Sequence, residues 1–96
     1  MNLPEAIVTA TVTAFADMGA PTESLASLKE SMVSADADFG FTLTPVWAGA
    51  INGMRVGCEI RKMPMGAKGK TQWIAYLTEW TGSRVTDRTQ VASTLV

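Results

Sequence analysis

The segment whose residue types come nearest to a known chemical device is rich in glycine and lysine. Residues 66–71 read Gly-Ala-Lys-Gly-Lys-Thr, and Gly-Lys-Thr is the tail of a phosphate-binding P-loop. The first glycine of that motif belongs at position 64, where this chain has Pro64. The residues that follow favour a strand over the helix whose N-terminus binds phosphate. We therefore interpret the segment as a basic loop and not as a nucleotide site.

The other candidate chemical groups also fall short of a site. Asp36, Asp38 and Gly40 loosely match the start of a calcium loop, but its twelfth position is Trp47 where a bidentate glutamate is needed. Cys58, the single cysteine, falls on a predicted core face with nothing nearby to lower its pKa. The chain has no histidine, which removes His-dependent triads and most zinc sites. We predict no enzyme activity, no metal and no cofactor.

Charge is unevenly distributed along the chain. Residues 1–40 carry six acids and one lysine, a balance of −5, whereas residues 41–96 carry seven bases and three acids, a balance of +4. Aromatic residues lie among those bases, and basic grooves with stacking aromatics bind single-stranded nucleic acid. The same charges also suit a solvated face or head-to-tail pairing between subunits. The candidate binding residues, for a protein partner or for nucleic acid, are Arg55, Arg61, Lys62, Lys68, Lys70, Trp73 and Tyr76.

Composition favours a protein that binds other macromolecules. Hydrophobic residues make up 47% and charged residues 18% of only 96 residues, which predicts a homo-oligomer or a large partner-binding patch. The net charge of −1 gives no overall attraction to nucleic acid or to anionic membranes. No segment approaches the ~18 apolar residues of a membrane span, and the N-terminus lacks signal-peptide features. We expect a reducing, cytoplasmic-type compartment and no membrane partner.

The element expected to position these residues is a β-hairpin around Asn52 and Gly53. This dipeptide favours a type I′ turn, which needs positive φ at both central positions. The resulting register places Trp47 opposite Cys58, and opposed residues share a face. One face then holds Phe41, Leu43, Trp47, Ile51, Met54, Val56, Cys58 and Ile60. The other face holds Thr42, Thr44, Ala48, Ala50, Arg55, Gly57, Glu59 and Arg61.

The register contains one conflict. Pro45 falls opposite Ile60 at a site facing the partner strand, where its missing N–H would break the ladder. We expect either that pairing stops near Val46 or that a bulge at Gly49 or Gly57 shifts it.

Two helices are predicted before the hairpin. Residues 3–18 have helical apolar spacing, with Asn2 as cap and Gly19 as the terminating residue. The alternative for this segment is a strand, because it is rich in valine and threonine. Residues 22–34 form the second predicted helix, with Thr22 as its cap.

The remaining elements complete an α+β fold. Residues 71–80 favour a third strand, although their tryptophans and leucine also fit a helical face. Asp87 with Gln90 is a candidate cap for a short C-terminal helix. The sequence therefore predicts a single α+β domain over residues 1–96. Its two N-terminal helices pack on one face of a three-stranded antiparallel β-meander.

These features predict a non-enzymatic interaction protein that acts by binding a macromolecular partner. A protein partner or self-association comes first, because bipolar charge and apolar content suit a protein–protein surface. By analogy alone, small histidine-free α+β proteins without catalytic residues include phage-type inhibitors of host systems, and these residues assign the chain to no particular family. The alternative is a single-stranded nucleic-acid-binding protein with a basic, aromatic-interleaved sheet face.

Overall fold

The computed structural model describes residues 3–36, 38–64 and 69–96, which form two helices followed by an antiparallel sheet. The sheet order is β1-β2-β3-β4, so the strands follow the chain as a meander. Helix α2 packs against β1, and α1 packs against β3 and β4. The α+β class with two N-terminal helices is confirmed. The elements are α1 (Glu5–Asp17), α2 (Thr22–Val33), β1 (Thr44–Ile51), β2 (Met54–Pro64), β3 (Thr71–Thr81) and β4 (Arg84–Leu95).

The C-terminal segment is a fourth strand, so the predictions of three strands and of a short C-terminal helix are wrong. Thr81 and Arg84 pair across a two-residue loop whose first residue, Gly82, has a φ of +62°. Type II′ hairpin turns need positive φ at that position. Asp87 and Gln90, the predicted helix cap, both lie within β4. The β-branched valine and threonine of this segment favour a strand, and pairing with β3 decides between strand and helix.

The predicted hairpin between β1 and β2 is confirmed. Asn52 and Gly53 have φ values of +52° and +79°, the pair of positive angles that a type I′ turn requires. Trp47 lies opposite Cys58, as the register predicted. Local turn chemistry has therefore fixed the pairing of these two strands.

The conflict at Pro45 is resolved by a bulge. Val46 is an extra residue in β1, so Pro45 lies opposite Glu59 and not opposite Ile60. The bulge lets an edge strand continue past a residue that cannot donate to the ladder. The two glycine positions predicted for a bulge are wrong, and both glycines instead lie beneath tryptophan rings.

Helix α1 confirms the helical reading of the first segment and ends where predicted. The N–H of Gly19 donates to the carbonyl of Ala16 at 3.0 Å, and the N–H of Ala20 donates to that of Phe15 at 3.1 Å. This pair of bonds is a Schellman motif, which requires a left-handed residue at its centre. Gly19 supplies it with a φ of +91°.

The helix starts differ from the prediction. Pro4 and Pro21 occupy the N-cap positions, and neither helix has a side-chain cap hydrogen bond. Thr22 is the first helical residue, so its prediction as a cap is wrong, while Asn2 lies outside the described residues. Each proline carbonyl accepts a backbone N–H of the first turn, which a residue in the cap position does whatever its side chain.

The core lies between the helices and the sheet. Trp47 meets Phe15 edge-on, with ring centroids 5.9 Å apart, and its indole N–H donates to the Ser27 hydroxyl at 3.1 Å. Phe39 meets Trp73 in the same way at 5.6 Å. Trp47 therefore joins β1 to both helices, and the Phe39–Trp73 pair joins the helix–sheet connector to β3.

Two residues of the predicted core face are exposed: Phe41 and, at the end of the hairpin, Met54, which is 48% exposed. Phe41 is 67% exposed, because β1 begins only at Thr44 and the strand alternation does not extend back to it. Phe39, two residues earlier, is buried in its place.

Candidate binding surface

Both helices lie on the side of the sheet that carries Trp47 and Cys58, and we call the opposite side the open face. Residues that alternate with the core positions of each strand lie there. Its charged, aromatic and polar members include Arg55, Glu59 and Arg61 of β2, Tyr76, Thr78 and Trp80 of β3, and Arg88 and Gln90 of β4, with the apolar Ile74 and Val85 on the same side.

Two arginine–aromatic pairs bridge β2 and β3 on the open face. The Arg55 guanidinium carbon lies 5.5 Å from the centroid of the Trp80 ring, and that of Arg61 lies 5.6 Å from the Tyr76 ring. Arg55 Nη1 also donates to the carbonyl of Gly82 at 2.8 Å. Exposed cation–π contacts of this kind contribute about 0.5–1 kcal/mol each. The contacts hold both cations in defined positions across the face.

A third arginine is held by an ion pair. Arg88 Nε donates to Glu59 Oε1 at 2.9 Å. Glu59 is only 7% exposed, so Arg88 satisfies a carboxylate that the sheet otherwise buries. The bond links β4 to β2 across β3. Among the described residues it leaves Arg55 and Arg61 as the open-face charges without an ion-pair partner.

Arg61 has unused hydrogen-bonding capacity. Within the part of the chain that the structure describes, its Nε is the one buried side-chain nitrogen or oxygen without a hydrogen-bond partner. A buried donor left unpaired costs about 1–3 kcal/mol. Because this nitrogen is buried, its unpaired state is a cost to the fold and not a contact open to a partner.

Two glycines allow tryptophan rings to lie across the sheet, one on each side. A Cβ at Gly57 would lie 2.7 Å from Thr78 Oγ1 and 3.2 Å from Trp80 Nε1, on the open face. A Cβ at Gly49 would overlap the ring of Trp47 on the core side. Aromatic cover compensates for the missing glycine side chain in a strand.

Small residues beside Trp80 leave a shallow depression in the open face. Its volume is about 250 Å³, and its walls are mostly apolar. A protruding side chain or a base would fit a depression of this size, with the Glu59 carboxylate at its edge. On the open face the lining residues are Pro45, Ala48, Gly57, Glu59, Thr78 and Trp80.

The structure divides the predicted binding residues between the two sides of the sheet. Arg55, Arg61 and Tyr76 lie together on the open face. Trp73 is 4% exposed in the core, and Lys62 Nζ lies 5.7 Å from the centroid of its ring. These two residues therefore face the helices and do not join the other three.

Two predicted residues remain, Lys68 and Lys70. Lys70 is exposed immediately before β3, and Lys68 lies outside the described residues.

Sequence reasoning missed two members of the open face. Trp80 shares a face with Tyr76 because the two are four residues apart in one strand, so the alternation of β3 contained the signal once its orientation was known. Arg88 was missed because its segment was assigned to a helix.

The environment of Cys58 confirms a buried structural thiol. Its side chain is fully buried, and burial, reinforced by the negative charge of Glu59, raises the pKa of the thiol from 9.0 to about 12. A thiol is a nucleophile only as the thiolate, so Cys58 is unreactive near neutral pH.

Among the described residues, no helix is long and apolar enough to span a membrane. Comparisons of the chain with protein-family models, with curated proteins and with solved structures find no match.

Proposed function

We propose that the protein is a non-enzymatic interaction protein whose open face binds an acidic surface of a protein partner. The observation that carries this proposal is the pair of arginine–aromatic contacts, Arg55–Trp80 and Arg61–Tyr76, on the side that the helices leave uncovered. Arginine, tryptophan and tyrosine contribute the most binding energy in protein interfaces. A phage-type inhibitor that covers a surface of a host protein would work in this way.

The positive charge of the open face favours an acidic partner, and the restricted motion of its arginine side chains lowers the cost of binding one. The open face carries three arginines against one glutamate, which supports attraction to a negative surface. The ring contacts already restrict the arginine side chains, and ordering such a chain on binding costs about 0.5–1.5 kcal/mol. The depression beside Trp80 adds a place for one protruding side chain of the partner.

The test compares two charge reversals, Arg61→Glu and Arg84→Glu. Arg84 makes a matched control because it is exposed and lies opposite Thr81, off the open face. Immobilised wild type and variants are used to capture a partner, which is then purified for affinity measurement. We expect Arg61→Glu to weaken binding at least about tenfold, or about 1.4 kcal/mol, and Arg84→Glu to leave it nearly unchanged. Equal affinities for both variants, with unaltered circular dichroism, would reject the open face as the interface.

The second candidate function is binding of single-stranded nucleic acid. Tyr76 and Trp80 on one face with three arginines favour it, because bases stack on aromatic rings while arginines neutralise phosphates. The same two variants are tested by fluorescence anisotropy with a labelled oligonucleotide over a salt series. Arg88 is already paired with Glu59, so two phosphate contacts from Arg55 and Arg61 would give a slope of about −1.4 for log K against log salt. No binding even at about 50 mM salt eliminates this candidate.

We also place this activity in a reducing, cytoplasmic-type compartment. The single thiol is unpaired and buried in the core, so the described fold needs no oxidising environment to form.

A further inference from the structure

The two layers of the molecule carry opposite charge on their outer surfaces. We call the exposed side of α1 and α2 the helical back. Two acids, Glu23 and Glu30, lie on α2 opposite its buried stripe, and Asp17 lies in the last turn of α1. Glu5 adds a fourth exposed acid, against Lys29 as the one base of these helices. The helical back is thus acidic where the open face is basic.

The two surfaces also match in size. Arg55 and Arg61 are six residues apart on β2, or roughly 20 Å. Glu5 and Asp17 are twelve residues apart on α1, or roughly 18 Å along the helix axis and about 120° apart around it. Four strands of about 11 residues give a face on the order of 700 Å², close to the about 800 Å² per partner of a standard interface. Exposed residues between the acids are small alanines and threonines, so little projects from the helical back.

We propose that the open face of one copy docks on the helical back of a second copy. Since these are different patches, the contact is heterologous, and each added copy leaves one patch of each kind free. Association is therefore expected to extend beyond a dimer, to grow with protein concentration and to weaken with salt. The inference rests on the face used in the proposed function, so a bound partner and a second copy compete for it.

The test uses a charge swap measured by sedimentation velocity at low salt. One variant is Arg61→Glu, and the other combines Asp17→Lys with Glu30→Lys. Both acids lie in last helical turns, where a cation interacts favourably with the helix dipole. We expect the average mass of wild type to rise with concentration, and each variant alone to lose at least tenfold in association constant. An equimolar mixture of the two should recover the rise, because each supplies the charge that the other has reversed.

Two results overturn the proposal: a wild type that stays monomeric at all concentrations, or association that survives either reversal. The matched controls, Arg84→Glu and Asp87→Lys, should associate like wild type. The Asp17→Lys, Glu30→Lys variant separates this inference from the proposed function, because it should still bind the external partner. If the Asp17→Lys, Glu30→Lys variant loses self-association but still binds the partner, both proposals are supported. If Arg61→Glu loses partner binding but still self-associates, the docking of copies is rejected and the proposed function stands.

Discussion

Successive side chains of β2 lie on opposite sides of the sheet. Cys58 packs in the core, while Glu59 reaches the open face and accepts the hydrogen bond from Arg88. The buried carboxylate lies close enough to add to the desolvation of the thiol, which has a pKa of about 12. Burial is the larger cause of the raised pKa of the thiol, and the charge of Glu59, the acid that pairs with Arg88 on the open face, adds to it.

This coupling predicts an alkaline loss of stability. The folded-state pKa of Cys58 lies above its ordinary value, so its contribution is complete below pH 9.0 and is lost as pH rises toward about 12. The free energy of unfolding should fall by up to about 1.4 kcal/mol per pH unit from this group. Urea unfolding across that window measures it, with Cys58→Ala as the variant that lacks the component. Parallel pH profiles for the two proteins would contradict the burial of the thiol.

At the level of single residues, the sequence predicted the local turn conformation but not the contacts between side chains of different strands. Asn52 and Gly53 specify their own turn, and the alternation of β1 and β2 then places Trp47 beside Cys58. The role of Gly57 could not be predicted in this way, because it depends on the ring of Trp80, which belongs to another strand and lies across the glycine. Close approach of this kind depends on which face each strand presents.

At the level of elements, the end of α1 offers a test of the Schellman motif. Gly19→Ala places a Cβ on a residue with a φ of +91°, which costs about 1–2 kcal/mol in the left-handed region. Gly40→Ala is the matched control, since its added Cβ meets nothing within 4 Å and its φ is not left-handed. Thermal unfolding of both variants checks the difference. Equal melting midpoints would mean that the helix end can relax without strain.

The fourth strand, β4, shows why one element was predicted as a helix when it is a strand. An acid followed three residues later by glutamine fits a helix start, whereas valine and threonine favour a strand. Pairing with β3 decides the competition, and the sequence of this segment alone does not contain that pairing. Register shifts near Val91 and Thr86, together with Asp87 and Arg88, interrupt the exposed edge of β4. Such bulges and charges discourage edge-to-edge pairing along β4.

On the scale of the whole molecule, the uneven charge of the sequence becomes two oppositely charged layers. The acidic first part forms the helical layer, and the basic second part forms the sheet. The sequence predicted this division but not which aromatics face outward. Trp73 packs against Phe39, whereas Trp80 packs under Arg55 on the open face. Which tryptophan is buried depends on where the helices and the connector to β1 pack on the sheet, and this is a property of the tertiary structure.

Hydrogen exchange can test whether the two layers unfold together. Cys58 and Ala75 are fully buried on β2 and β3, the strands with neighbours on both sides, so their amides should be the most protected. Trp47 contacts α1 through Phe15 and α2 through Ser27, and Trp47→Ala should cost about 3–5 kcal/mol.

If the domain is one cooperative unit, that loss appears equally at both amides, although Ala75 lies two strands away from the substitution. The free energies of exchange at Cys58 and Ala75 should therefore fall in parallel, whereas the edge strands, which open locally, should change less. Protection that falls at Cys58 and persists at Ala75 would divide the molecule into two units, with β3 and β4 stable apart from the hairpin and its helix.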